Sequence, residues 1–185
     1  MMVIKMEDVN KNFVNEVIET GKLVPGEEIV KSIKACYQCG TCTGSCPSGR
    51  RTAYRTRKVL RQVLLGLDSV LESDDIWRCT TCYTCYERCP RDVKVTEIIK
   101  TVRNLAAKKG HMAPAHKKTA SLVLRFGHAV PANKDTAELR KSIGLAEKAP
   151  IAQFSDKDLE EIRTLVKELE FDKLIGFNWE KMDLE

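Results

Sequence analysis

Residues 36–47, CYQCGTCTGSCP, and residues 79–90, CTTCYTCYERCP, are two copies of one pattern, C-x2-C-x2-C-x3-C-P. They hold all eight cysteines of the 185-residue chain, and each cysteine of the second copy follows its mate by 43 positions. This spacing is the binding run of bacterial-type four-iron clusters, in which the fourth cysteine ligates the neighbouring cluster. The expected ligand sets are Cys36, Cys39, Cys42 and Cys89 for one [4Fe-4S] cluster, and Cys79, Cys82, Cys85 and Cys46 for a second. Thiolate is the ligand that such soft groups select. Pro47 and Pro90, with fixed φ and no N–H, turn the chain away after each fourth cysteine. Structural zinc typically uses two separated cysteine pairs, whereas four cysteines within eleven residues suit a cluster.

Working outward, the repeat extends beyond the ligands. Each half reads as a cysteine run followed by an amphipathic helix, with Ile33 matching Ile76 and Val59 matching Val102 at the same offset. Before the first run, Phe13, Val14, Val17 and Ile18 recur at helical spacing up to Gly21, and Ile29, Val30 and Ile33 mark a helix over residues 27–34. Thr56, Val59, Leu60, Val63, Leu64 and Leu67 predict a helix over about residues 52–65. Ser73, Asp74 and Asp75 offer a cap before the second run. Val95, Ile98, Ile99, Val102, Leu105 and Ala106 predict the helix after it, closed by Gly110.

Further on, residues 117–126 and 136–143 read as short helices in a stretch that otherwise looks loop-like, with Pro131 and Pro150. Ser155 and Asp158 form a capping box ahead of a stripe of Leu159, Ile162, Leu165, Val166 and Leu169. Alternating strand patterns and tight hairpin turns are almost absent. The fold class is therefore all-α: a helical ferredoxin-like domain for two [4Fe-4S] clusters at residues 26–112, with helical extensions at 1–25 and 113–185. A whole helix lies between Cys46 and Cys79, which argues against the compact ferredoxin built on β-hairpins.

Charge and composition narrow the function. The chain carries 31 basic and 26 acidic residues, a net charge of +5. Residues 155–185 hold ten acidic and five basic residues, so the excess of base lies upstream, and the acidic helix is expected to pack on a partner or on the basic body. Arg50, Arg51, Arg55, Arg57, Lys58 and Arg61 form a run without an acid, suited to an acidic partner or to offsetting cluster charge. Tyr54 alone is a thin platform for stacking bases, so no nucleic acid is expected. Nothing resembles a secretion signal and no apolar run approaches a membrane span, so reduced thiolates, a cytoplasmic location and no direct membrane span are expected. His111, His116 and His128 stand at no ligand spacing, and phosphate and dinucleotide loops are absent. With every cysteine committed, no catalytic residue is expected on this chain, and chemistry on a substrate belongs to another one. Trp77, Tyr83 and Tyr86 are placed to shield the second cluster from water, and Tyr83 stands where the first run has Gly40.

The stretches CYQCGTCTGSCPSGRRTAYRTRKVL and SDDIWRCTTCYTCYERCPRDVKV closely resemble the C subunits of heterodisulfide reductase, over about residues 10–126. The resemblance implies an α-helical ferredoxin fold with two [4Fe-4S] clusters, seated between a flavin- and iron–sulfur-bearing A subunit and a catalytic, cysteine-rich B subunit. That B subunit reduces the mixed disulfide of coenzyme M and coenzyme B. The hydrogen- and ferredoxin-linked form of the complex adds a nickel–iron hydrogenase, whereas the dihydromethanophenazine-linked form uses a haem-bearing membrane partner. The alternative is an iron–sulfur subunit of another flavin-dependent dehydrogenase, of glycerol-3-phosphate or lactate type.

Overall fold

A computed structural model describes residues 5–130, 133–148 and 155–184. Pro131 and Pro150 lie outside the described residues. The chain divides into two compact units, Met1–His111 and Met112–Glu185.

The first unit is built around one helix. Helices α1 (Phe13–Thr20), α2 (Glu27–Lys31), α3 (Thr41–Gly44), α4 (Pro47–Arg51), α5 (Thr56–Leu64), α6 (Thr84–Glu87) and α7 (Val95–Lys108) follow one another, joined by short turns and irregular helical segments. The apolar stripe of α7 buries Ile98, Ile99, Val102 and Ala106 completely, and α1, α2 and α5 all pack against this helix. They bring Phe13, Val17, Val30, Val59 and Val63 to the same core. Fully burying each such side chain contributes on the order of 1.5–3 kcal/mol. The repeat mates Ile33 and Ile76 are both fully buried, one ahead of each cysteine run. Gly66 has φ +74°, and a Cβ there would stand 2.5 Å from the Asn10 carbonyl oxygen, so only glycine fits.

In one place the helix stripe misleads. A single helix over residues 52–65 is expected, but the chain breaks after Arg51, runs extended through Thr52 and Arg55, and restarts at Thr56. Side chains stabilise the break. The Thr52 hydroxyl donates to the Ser48 carbonyl (2.9 Å) and accepts from the Tyr54 N–H (3.2 Å). The Arg55 guanidinium donates to the carbonyls of Gly49, Thr52 and Tyr54 at 2.8–3.0 Å. These bonds replace the helical ones and turn Tyr54 inward, where it is buried and unavailable for stacking a base.

The second unit contains α8 (Pro114–Phe126), α9 (Lys134–Ser142), α10 (Asp156–Glu168) and α11 (Phe171–Ile175). Ser155 and Asp158 form the capping box that the sequence predicts. Beyond the helices, β1 (Phe177–Asn178) pairs antiparallel with β2 (Asp183–Leu184), in a ribbon too short to leave an alternating pattern. Leu124, Ile175 and Phe177 form the small core, against which Val166, Phe171 and Trp179 pack. Among the described residues, no helix is long and apolar enough to cross a membrane.

The polar anchor of this unit is Asp172, whose Oδ2 accepts from the Trp179 indole N–H at 2.6 Å. That bond holds the Asp172 carboxyl below the usual carboxylate range. A depressed folded pKa gives stability that is present above the unfolded value near 3.9 and is lost as the pH falls through the folded value. Asp172→Asn is expected to weaken the full chain by about 1 kcal/mol at pH 7. It should also lose less stability than wild type between pH 5 and pH 3. Urea unfolding followed by indole fluorescence checks both; an unchanged acid slope would remove Asp172 as the group responsible.

Candidate metal centre

The two cysteine runs fold alike. Gln38 and its repeat mate Thr81 have φ +64° and +51°; Gly40 and its mate Tyr83 have φ +87° and +62°. Each run thus makes two left-handed turns and enters a one-turn helix, α3 or α6, and these two helices pack on each other. Glycine takes such a turn freely, whereas a tyrosine is strained there. The Tyr83 hydroxyl is tied to the Glu97 carboxylate at 2.6 Å, and Lys100 bonds that same carboxylate at 3.0 Å.

The cysteines gather in two places. Cys36, Cys39 and Cys42 of the first run line a partly open pocket together with Cys89 of the second, with Gln38, Arg57 and Pro90 on its walls. Cys46 is absent from that lining. Around Cys85 stand the thiols of Cys79, Cys82 and Cys46, with Cys42 of the first run also near. Ser48, just after the first run, donates its hydroxyl to the Arg78 carbonyl at 2.7 Å, joining the end of one run to the start of the other.

Each set has an inner and an outer member. Burial pushes the Cys42 thiol up to about 11, and the nearby Cys85 adds to this. Burial also raises Cys85, against its contact with the Thr96 hydroxyl at 3.5 Å. Cys39 and Cys82 are exposed, and the hydroxyls of Thr41 and Thr84, each 3.4 Å away, hold them below the ordinary thiol value. Donors to the sulfurs come from three further groups: the Gln38 amide to Cys36 (3.3 Å), the Gly49 N–H to Cys46 (3.4 Å) and the Val93 N–H to Cys89 (3.3 Å).

This donor set fits an iron–sulfur group, since it supplies soft thiols and hydrogen bonds to their sulfurs. Among the described residues, the buried side-chain atoms without a hydrogen-bond partner are Gln38 Oε1, the Tyr54 hydroxyl and Thr56 Oγ1. Gln38 lies inside the first run, and Tyr54 shares a buried cluster with Cys46 of the second set. Neither Gln38 nor Tyr54 stands out in the sequence, because a lone amide and a lone phenol form no motif. The basic run is exposed throughout, and among the described residues none of its six members pairs with a carboxylate. Arg57 reaches the Gln38 carbonyl at 3.3 Å on the cavity wall. Trp77 and Tyr86 are half-buried beside the second run, and Tyr83 is more open.

Residues 32–93 match the family model described as a 4Fe-4S dicluster domain. Over its whole length the chain is 80% identical to the iron–sulfur C 2 subunit of the CoB–CoM heterodisulfide reductase of Methanocaldococcus jannaschii, which it covers completely. It is 75% identical over 183 residues to the C2 subunit of the H2/formate:CoB–CoM heterodisulfide, ferredoxin reductase of Methanococcus maripaludis, covering 99% of this chain and all of that one. The C subunit of the ferredoxin:CoB–CoM heterodisulfide reductase of Methanosarcina mazei is 44% identical over 155 residues, covering 80% of this chain and 96% of its own.

The second run has a support that the first lacks. Arg103 is the repeat mate of the buried Leu60, and its guanidinium donates to the Ile76 carbonyl (2.7 Å) and to the Cys79 carbonyl while lying 5.7 Å from the Trp77 ring centre. Restoring the repeat with Arg103→Leu leaves two carbonyls without donors. The variant is expected to lose about 2–3 kcal/mol of stability. Urea unfolding of the iron-loaded chain measures this, and a midpoint equal to wild type would show that the guanidinium is dispensable.

Proposed function

The chain belongs to the family of heterodisulfide reductase iron–sulfur C subunits, and from that premise we propose that it is the electron conduit of such a complex. Electrons come from a flavin-bearing A subunit and leave for a cysteine-rich B subunit, which reduces the coenzyme M–coenzyme B heterodisulfide. A nickel–iron hydrogenase completes the assembly, which works in the cytoplasm. Two [4Fe-4S] clusters are the carriers. Cys36, Cys39, Cys42 and Cys89 hold one; Cys79, Cys82, Cys85 and Cys46 hold the other. When bound, each cluster takes up and gives back one electron.

The observation that carries this reading is the cavity shared by three cysteines of the first run and the fourth cysteine of the second. The chain's own residues do the rest. Helices α3 and α6 set Cys42 and Cys85 near each other on the inner side, while Cys39 and Cys82 stay at the surface, so each set has one side toward its twin and one toward a partner. Backbone N–H groups donate to Cys46 and Cys89, and the hydroxyls of Thr41 and Thr84 hold Cys39 and Cys82 below the ordinary thiol value. Arg57 beside the first set, and the exposed basic run it belongs to, suit an acidic docking surface, where charge complementarity speeds association.

Two measurements test the proposal. Anaerobic purification of the tagged full chain from its native cells should recover a flavoprotein together with a second protein rich in cysteine; a flavin dehydrogenase without that second protein would point to the glycerol-3-phosphate or lactate type instead. Wild type should carry about eight irons. In paramagnetic resonance of single variants, Cys46→Ser and Cys82→Ser should disturb one cluster signal, and Cys89→Ser and Cys39→Ser the other. Cys46→Ser grouping with Cys39→Ser would overturn the ligand sets.

A further inference from the structure

Tyr54 is 1% exposed, yet its hydroxyl has no hydrogen-bond partner. A buried phenol O–H ordinarily finds one, and leaving it unmade costs on the order of 1–3 kcal/mol. The rest of the residue is held fast. Its N–H is taken by Thr52 and its carbonyl by Arg55, at 3.2 and 2.8 Å. Thr56 is a near neighbour of the phenol, but no hydrogen bond of normal geometry joins the two hydroxyls, and both are unpartnered. Tyr54 shares its core cluster with Cys46, and Cys79 and Cys85 pack against that cluster, so three of the four members of the second set lie around it. A phenol ordinarily titrates near 10, so at neutral pH it keeps its proton and is a donor.

The two halves place their non-helical stretch differently: residues 52–55 in the first, residues 90–94 just before α7 in the second. Glu97, the repeat mate of Tyr54, therefore falls inside the first turn of α7, and its carboxylate is occupied by Tyr83 and Lys100. The chain gives up regular helix between α4 and α5, and the residue thereby turned inward is a phenol buried in the core that the cysteines of the second set border.

We propose that the Tyr54 hydroxyl donates a hydrogen bond to a sulfur of the cluster held by Cys46, Cys79, Cys82 and Cys85, and so raises the reduction potential of that cluster. The inference rests on the two-cluster reading given above. Reduction adds one electron, and the sulfurs become more negative and better acceptors. The phenol keeps its proton throughout, and no bond is made or broken beyond the strengthened hydrogen bond. The reduced state is therefore stabilised more than the oxidised one.

The test is a redox titration of the anaerobically purified, iron-loaded full chain, followed by paramagnetic resonance. The signal of the second set is identified by its disturbance in Cys46→Ser. In Tyr54→Phe the ratio of reduced to oxidised second cluster should fall about tenfold at the wild-type midpoint, which is a shift of about −59 mV for a one-electron couple. The other cluster should keep its potential. Two intact clusters with unshifted potentials, or a shift confined to the first cluster, would overturn the proposal. Should the variant lose iron, replacing Tyr54 by 3-fluorotyrosine keeps the ring and its packing. This more acidic phenol is a stronger donor and should move the same cluster to a higher potential; no movement would equally sink the idea. A wild-type chain with only about four irons and one signal would instead refute the two-cluster reading, whatever Tyr54 does.

Discussion

Two thiols drawn in from the surface, one buried and one half-buried, set the terms for the first unit. Cys42 on α3 and Cys85 on α6 are both raised by burial, and they approach each other where the two short helices meet. A thiolate placed there without compensation is costly, because desolvation disfavours the charged form. A four-turn-long α7 and the helices around it build an apolar frame whose rim consists of the cysteine runs, with Ile33 and Ile76 anchoring each run at its start. Helices of one turn, such as α3 and α6, are not stable in isolation. Their position depends on that frame and on the groups that bond the runs from outside, including Thr43, which accepts from the Arg57 N–H at 2.8 Å.

Much of this was legible in the sequence, for identifiable reasons. Ligand spacing is a local property, and so is a helix stripe with a cap, which is why α1, α7 and α10 fall close to where the pattern puts them. The 43-residue offset also extends to backbone conformation, since Gln38 and Thr81, and Gly40 and Tyr83, share left-handed turns. What the pattern missed is non-local or depends on side chains bonding to backbone. The stripe from Thr56 to Leu67 continues back to Thr52 by period alone, yet Thr52 and Arg55 divert the backbone bonds and bury Tyr54. Nothing in a hydrophobic pattern reports a threonine choosing a carbonyl four residues back. The motif's fourth position already puts Cys89 with the first run, whereas the packing of α3 on α6 that accompanies this is non-local and no window of sequence describes it.

The second unit follows a different logic. Its core is small, and much of its definition comes from directed contacts: Trp179 on Asp172, the edge-to-face pair of Phe177 and Trp179 at 5.0 Å, and Arg163 reaching the Leu124 carbonyl at 3.3 Å. Leu165 and Leu169 of the α10 stripe are exposed, so the amphipathic pattern marks an apolar face without meaning that this face is wholly used. The acidic character of residues 155–185 is expressed in the first turn of α10, where Asp156 and Asp158 complement the helix dipole.

A duplicated unit begins with two equivalent sites, and its departures from the repeat show where equivalence has been lost. Three such departures fall around the second cysteine run. Tyr83 replaces Gly40 in a turn that disfavours it and is tied down through Glu97. Arg103 replaces Leu60 and secures the carbonyls of Ile76 and Cys79. Tyr54 is turned into the core that Cys79 borders by a helix break that its mate Glu97 does not share. The first run keeps the simpler residues and opens its cavity beside Arg57. Two sites with identical ligands differ only through what bonds and covers their sulfurs. Divergence concentrated on one of them is therefore the physical means by which a repeated sequence makes two unequal environments within a single small core.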